Sequence, residues 1–264
     1  MNETRWAADR ADRARSFGAV AADYAAWRPG YPAEIVAFLA GGGAGHDRPR
    51  RILDLGAGTG LLTGLLVAAG HDVVAADVSA DMLAELSARL PDVPTVVAGA
   101  ESVPLPDGDR DVVVAAQAAH WFDPEAASRE FLRLLAPGGA VGFVWNTQQA
   151  TSPWTAELAG LLAESTRDQT GDAPEGNRAI VEAFAARLDA DVEVRSESWV
   201  HRVPPRAVIG RAASSSRVGL MDDAARAAYL DRIRDLLDTH PDTRGRDELE
   251  IDYVTTAWRM VPRR

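Results

Sequence analysis

The chain has 264 residues and a mass of 28.2 kDa, with 28 basic against 39 acidic side chains and a formal net charge of −11. It contains no cysteine and no lysine, so all 28 cations are arginines. Those absences exclude a thiolate nucleophile, a disulfide, cysteine-ligated zinc or iron–sulfur centres, a Schiff-base lysine and the lysine of a P-loop.

In chain order, Ser16–Ala26 reads as a short helix, with Phe17, Val20 and Tyr24 at helical spacing. The stretch Trp27–Pro32 breaks it, Pro32 opens a second helix over Ala33–Ala40, and the glycines of 41–45 stop that one. From Arg51 to Trp145 strands and helices alternate. Strands are expected at Ile52–Leu55, Asp72–Ala76 with Asp77 at its tip, Thr95–Ala98, Asp111–Ala116 and Ala140–Trp145. Helices are expected at Leu61–Ala69, at Ser79–Leu90 capped by Ser79, and at Pro124–Leu135 before Pro137-Gly138-Gly139. The near-continuous apolar strands suit a sheet covered on both faces, and the βαβα order implies parallel strands. Beyond Asn146, helices are expected at Pro153–Ser165, Ala179–Leu188, Ala207–Ser215 and Ala224–Leu237. Strands are expected at Asp191–Val203 and Leu249–Met260, the latter with Ile251, Tyr253, Thr255 and Ala257 on one face. No internal repeat or low-complexity linker interrupts the chain, which reads as one domain with a helical insertion before the last strand.

The bulk numbers bound the partners. Hydrophobic residues at 47% and charged residues at 25% suit a soluble globular protein. A pI near 4.9 argues against a phosphate-backbone footprint and favours a small-molecule partner. The segment Met1–Arg15 is charged throughout and no apolar run reaches membrane-spanning length, so the expectation is a cytoplasmic enzyme without membrane contact.

The most informative stretch is Asp54-Leu55-Gly56-Ala57-Gly58-Thr59-Gly60-Leu61, which follows a strand and opens a helix. Glycines there let the backbone turn sharply and approach a ligand closely. Asp77 ends the next strand, where a carboxylate accepts from ribose hydroxyls. The spacing is G-x-G-x-G rather than the dinucleotide G-x-G-x-x-G, and Asp54 stands two residues before the first glycine. A carboxylate there repels a pyrophosphate but not a ligand with an ammonium group. S-adenosylmethionine (SAM) has ribose hydroxyls, an amino-acid head and no phosphate.

This motif resembles the first motif of class I SAM-dependent methyltransferases, and the chain is similar to their small-molecule branch, which includes ubiquinone-biosynthesis and trans-aconitate methyltransferases. Phe17-Gly18, Tyr24, Arg28–Pro32, Ala100–Pro106 and Gln117–Asp123 carry further similarity. The resemblance spans roughly 17–146 with specific motifs and is weaker beyond. It implies an α/β, Rossmann-like seven-stranded mostly parallel sheet with an antiparallel last strand and helices on both faces. It also implies a division of one 1–264 methyltransferase domain into lid helices at 16–45, a SAM-binding core at 51–146, and further strands and substrate-cap helices at 147–264. The implied cofactor contacts are Tyr24, Arg28, Asp54, Gly56, Ala57, Gly58, Gly60, Leu61, Asp77, Val78, Ala100, Glu101 and Gln117, with S-adenosylhomocysteine (SAH) as product. One departure stands out: many relatives have an acidic or hydroxyl residue before the Ala-Glu pair, and here it is Gly99. Adenine recognition then rests on the backbone of Ala100 and Glu101 or on another side chain.

Methyl transfer from a sulfonium is an in-line displacement in which the protein aligns the partners and a base takes any departing proton. His120 follows the fourth strand at the ligand-binding edge, where it serves either as that base and a substrate contact or as packing under a lid. Trp121 and Asn146 are candidate substrate contacts, with helix capping the other role for Asn146. Arg28 either binds the cofactor carboxylate with its fork of donors or holds its own turn together. His46, His71, His201 and His240 lack metal-ligand spacing, so no metal is expected. The reading is direct methyl transfer to a small molecule, with secondary metabolism the setting in view. The alternative is a SAM-binding scaffold turned to a non-methylating reaction such as cyclisation.

Overall fold

A computed structural model describes residues 27–41, 48–166, 174–215 and 218–263. The expected helix over 16–26, with Tyr24, and the glycines at 42–45 lie outside them. The described elements, in chain order, are α1 (Ala33–Leu39), β1 (Arg51–Leu55), α2 (Leu61–Ala68), β2 (Asp72–Asp77), α3 (Ala80–Arg89), β3 (Thr95–Val97), β4 (Arg110–Ala116), α4 (Pro124–Leu134), β5 (Leu135–Gln148), α5 (Pro153–Thr166), α6 (Pro174–Leu188), β6 (Ala190–Val203), α7 (Pro205–Ala213), α8 (Asp223–Thr239) and β7 (Leu249–Pro262).

The seven strands hydrogen-bond in the order β3-β2-β1-β4-β5-β7-β6. The first five are parallel, with β1 between β2 and β4. Strand β7 runs antiparallel to both neighbours. Against β5, Gln149 N donates to the Asp252 carbonyl and Thr255 Oγ1 donates to Asn146 Oδ1, so numbers rise on one strand as they fall on the other. Against β6 the same holds for Ser196 with Thr256 and Arg202 with Glu250. The fold is therefore the Rossmann-like mixed sheet with an antiparallel last strand.

Helix starts follow local chemistry. Ser79 Oγ accepts from Met82 N to begin α3, and Asp123 Oδ1 accepts from Ala126 N to begin α4, with Pro124 at the first helical position. Strand β5 is longer at both ends than the apolar run Ala140–Trp145 suggests. Its pairing with β4 breaks between Arg110↔Leu135 and Val112↔Ala140, and Gly138 at φ +74° lets the chain turn inside that break. Helix α6 starts five residues before the expected Ala179, because a polar first turn carries no apolar periodicity.

Two compact units divide the chain: Gly30–Thr147 with Thr170–Glu197 and Thr255–Arg264, and Met1–Pro29 with Gln148–Gln169 and Ser198–Val254. In the first, alternate strand residues feed opposite layers. Leu53, Leu55, Val113, Val141 and Phe143 pack with Phe131 of α4 and Phe184 of α6. Ile52, Val112, Val114 and Val144 pack with Ile35 and Leu39 of α1 and Leu62 and Leu66 of α2. This alternation decides where Asp54 points, since it shares parity with Ile52 and faces α2. In the second unit, Trp154, Leu158, Val208, Ile233, Leu237, Ile251 and Tyr253 form the core. Trp154 is thus a packing residue. Trp27 lies against α7 at Gly210, where a Cβ would come within 2.6 Å of the indole.

Candidate active site

The glycine loop leaves β1 at the carboxyl edge of the parallel strands, where open α/β sheets bind ligands. Gly56 takes φ +65°, and a Cβ there would meet Ala118 Cβ at 2.6 Å. Gly60 takes φ +84°, and a Cβ there would meet Leu86 Cγ at 2.7 Å. Left-handed backbone and close approach both demand glycine at these positions. Gly58 differs: a Cβ would meet nothing within 4 Å, so this side of the loop is open. The loop is tied down by Ala57 N to the Ala76 carbonyl at 3.1 Å and Gly60 N to the Ala57 carbonyl at 2.9 Å. Leu61 begins α2 directly after it.

Asp77 sits at the tip of β2. Its Oδ2 accepts from Gly58 N at 2.9 Å and its Oδ1 from Ser79 N at 2.8 Å. Burial pushes its pKa up, while the backbone donors of Ser79, Gly58 and Val78 oppose that shift. Beyond these donors the carboxylate keeps acceptor capacity for a ligand hydroxyl.

Asp54 is fully buried beneath the loop. Its Oδ2 accepts from Thr63 Oγ1 at 2.6 Å, and its Oδ1 is buried without a hydrogen-bond partner, as is Thr59 Oγ1. Burial is the main cause that pushes its pKa up to about 7; Thr63 opposes the shift and the Asp77 charge adds to it. Arg89 Nη1 donates to the Thr59 carbonyl at 3.0 Å, holding α3 to the loop. Thr63 is the residue that sequence reasoning missed. The available signal was a lone hydroxyl on the apolar face of Leu61-Leu62-Thr63-Gly64-Leu65-Leu66.

Past β3, Val78 is 49% exposed and stands 3.8 Å from where a Gly99 Cβ would be. Ala100 is buried, and Glu101 Oε1 accepts from Asp123 N at 2.9 Å. Glu101 Oε2 lies 2.9 Å from the missing Gly99 Cβ, so this carboxylate occupies the space a side chain at 99 would need. Arg133 of α4 fixes the segment that follows. It donates to the Val103 carbonyl at 2.9 Å, the Leu105 carbonyl at 2.7 Å, and Glu130 and Asp107 at 2.6 Å each. Replacing Arg133 by Met should lower stability by about 2 kcal/mol, since a half-buried Glu130 loses its cation and two carbonyls lose a charged donor. Arg133 holds the Glu130 pKa below the usual 4.5, so this contribution is present above that pH and is lost as acid protonates Glu130. Urea titration near neutral pH and near pH 3 checks both the size and the sign.

At the end of β4, Gln117 adopts φ +56°, a left-handed conformation uncommon outside glycine. Its N donates to the Val144 carbonyl at 2.9 Å and its Nε2 to the Asn146 carbonyl at 3.4 Å. A 3₁₀ turn follows at Ala119–Trp121 and carries His120. The His120 and Trp121 rings stand 4.7 Å apart at 47°, both partly exposed. Asn146 spans two elements: its Nδ2 donates to the Gly30 carbonyl at 2.9 Å, and its Oδ1 accepts from Thr255 Oγ1 at 2.5 Å. It caps no helix.

The structure thus gathers Asp54, Gly56–Leu61, Asp77, Val78, Ala100, Glu101, Gln117, His120, Trp121 and Asn146 in the unit containing the parallel strands. Arg28 belongs to the other unit, where its charge and that of Arg211 oppose the upward pKa shift that burial gives Tyr253. Tyr24 lies outside the described residues. Among the described residues no group of three His, Asp or Glu side chains is placed to hold a metal ion. No helix among them is long and apolar enough to cross a membrane.

The chain is similar to known methyltransferases in sequence and fold. The profile of a methyltransferase domain matches residues 53–143, from β1 through the glycine loop to β5. An uncharacterised methyltransferase of Mycobacterium bovis is 39% identical over 252 residues, covering 96% of this chain and 98% of that protein. A malonyl-[acyl-carrier protein] O-methyltransferase of Methylococcus capsulatus is 32% identical over 225 residues, covering 81% and 73%. A solved methyltransferase structure from Anaeromyxobacter dehalogenans superposes with a TM-score of 0.67 at 25% identity, covering 90% and 98%. With the methyltransferase-domain match and 39% identity to a methyltransferase over nearly the whole of both chains, the chain belongs to the class I SAM-dependent methyltransferases.

Proposed function

We propose that the chain transfers a methyl group from SAM to a small organic acceptor by direct displacement, acting as one cytoplasmic domain in secondary metabolism. The observation that carries the cofactor assignment is the open space at Gly58, in a glycine loop whose N–H is held by the Asp77 carboxylate. When bound, SAM supplies a methyl group on a cationic sulfur and leaves as SAH. Asp77 holds the ribose hydroxyls through its remaining acceptor capacity, and Val78 offers an apolar platform to the base. Ala100 and Glu101 line the same end, and the loop from Gly56 to Leu61 receives the amino-acid head. Gln117, held in its left-handed turn, keeps the β4 exit close to the loop, where Ala118 backs against Gly56. Arg28 and Tyr24 are assigned to the cofactor carboxylate and the lid by resemblance.

His120 takes the acceptor proton as the new bond forms, and Trp121 packs against its ring to orient it. Asn146 acts on the acceptor side through position: with both amide ends engaged, it fixes the end of β5. The expected result for His120→Ala is a fall in turnover of about 10²-fold with cofactor affinity little changed. Single-turnover assays with methyl-labelled SAM and calorimetry with SAH separate the two. Unchanged turnover would assign His120 to packing. The acceptor screen includes a malonyl thioester, because the Methylococcus relative is named for one. Product without label would sink the transfer reading.

A further inference from the structure

Thr63 is the only polar side chain in α2, and it is fully buried. A threonine hydroxyl inside a helix ordinarily returns to a backbone carbonyl of the preceding turn. Here it donates to Asp54 Oδ2 at 2.6 Å, across nine residues of chain. Asp54 is thereby fixed with one oxygen held and the other, Oδ1, buried and bare. Such a half-satisfied buried carboxyl is costly unless something nearby offsets its charge.

We propose that Thr63 is a positioning residue, and that the Thr63–Asp54 pair makes the site prefer the cationic cofactor over its product. This rests on the reading of the glycine loop as the cofactor site. The sulfonium of SAM carries one positive charge more than the thioether of SAH. A carboxylate fully buried two residues before the glycine loop, in low dielectric, acts on that charge by its field without touching it. Loss of the methyl group removes the attraction and favours product release.

The groups facing Asp54 allow this discrimination to be tuned by pH. From β2, Asp77 repels a second negative charge and raises the Asp54 pKa. From α2, Thr63 lowers it through hydroxyl and backbone hydrogen bonds. From α3, Arg89 reaches the loop at the Thr59 carbonyl. The paired strand neighbours, Ala75 and Val114, carry no charge, and Glu34 of α1 is exposed. Burial dominates, so Asp54 ionises near neutrality and the preference for SAM should grow as it does.

Calorimetry of SAM and SAH at about pH 6 and about pH 8 tests this on the full chain. In the parent protein the affinity ratio of SAM to SAH should rise about tenfold across that interval. Asp54→Asn should make the ratio independent of pH, and any residual dependence would belong to Asp77. Thr63→Val should keep the ratio near its low-pH value at pH 8, and Thr63→Ser should restore the rise. A Thr63→Val protein that melts like the parent and keeps the full pH dependence overturns the proposal, as does a flat ratio in the parent. If neither ligand binds the parent, the cofactor assignment itself fails. If both bind with a flat ratio, only the charge discrimination fails.

Discussion

Asp54→Asn should make the ligand-free protein more stable than the parent at pH 8 while weakening its hold on SAM. The parent carboxyl is fully buried, and its pKa rises from 3.8 to about 7 on folding. The folded state therefore holds the proton more tightly than the unfolded state. Between these values stability falls as pH rises, and the penalty is complete above about pH 7. At 1.36 kcal/mol per unit the penalty approaches about 4 kcal/mol. Asparagine removes the charge but buries an amide hydrogen donor where Oδ1 stood bare, which takes back about 1–2 kcal/mol. A net gain of about 2 kcal/mol, or roughly 5 °C in melting temperature, is the expected result at pH 8. At about pH 4 the folded parent is protonated and the charge penalty is nearly gone, so the cost of the buried amide remains and the variant should be about 1 kcal/mol less stable than the parent there. Thermal melting at the two pH values checks the sign. A variant no more stable than the parent at pH 8 would mean that Asp54 is not the strained group. The same replacement removes the field that favours a cationic ligand, so stability and binding should move in opposite directions.

Much of this site was legible because its constraints are local. Gly56, Gly58 and Gly60 announce a backbone that must turn, and Asp77 follows from the end of the next apolar strand. Ser79 and the Pro124 start are readable for the same reason, as caps act within one turn. What remained hidden depends on side chains meeting across the fold. The sequence marks Asp54 as a candidate ligand contact but cannot show that strand parity turns it onto Thr63. The sequence offers Asn146 as a substrate contact or a cap but cannot show its partners Gly30 and Thr255, which lie 116 and 109 residues away. The departure at Gly99 gains a physical reason only when Glu101, capping α4 through Asp123, is seen to fill the space above it. The strand β5 boundaries shifted because its pairing runs through a glycine turn that hydropathy reads as a stop.

Asp77→Ala is expected to weaken cofactor binding by about 1–3 kcal/mol, the cost of leaving buried polar groups without a partner. Two effects combine. The ribose loses its acceptor, and the Gly58 and Ser79 N–H groups lose the carboxylate that holds the loop and the α3 entry in place. Asp77→Asn separates them. Its single oxygen satisfies one N–H while its NH₂ confronts the other, so the loop is disturbed although the side chain has the same shape. Loop ordering alone predicts equal losses for SAH and for a 2′-deoxy analogue in both variants. Ribose recognition predicts that the parent discriminates between these ligands and the alanine variant does not, giving a coupling term in a double-mutant cycle. Calorimetry with the two ligands across the three proteins yields that term. A coupling near zero would reduce Asp77 to a loop anchor and move ribose recognition elsewhere. A clear coupling with a small loss in Asp77→Asn would show that one oxygen suffices for the sugar. The second oxygen would then serve the backbone, which is how a single carboxylate fixes both the glycine loop and its ligand.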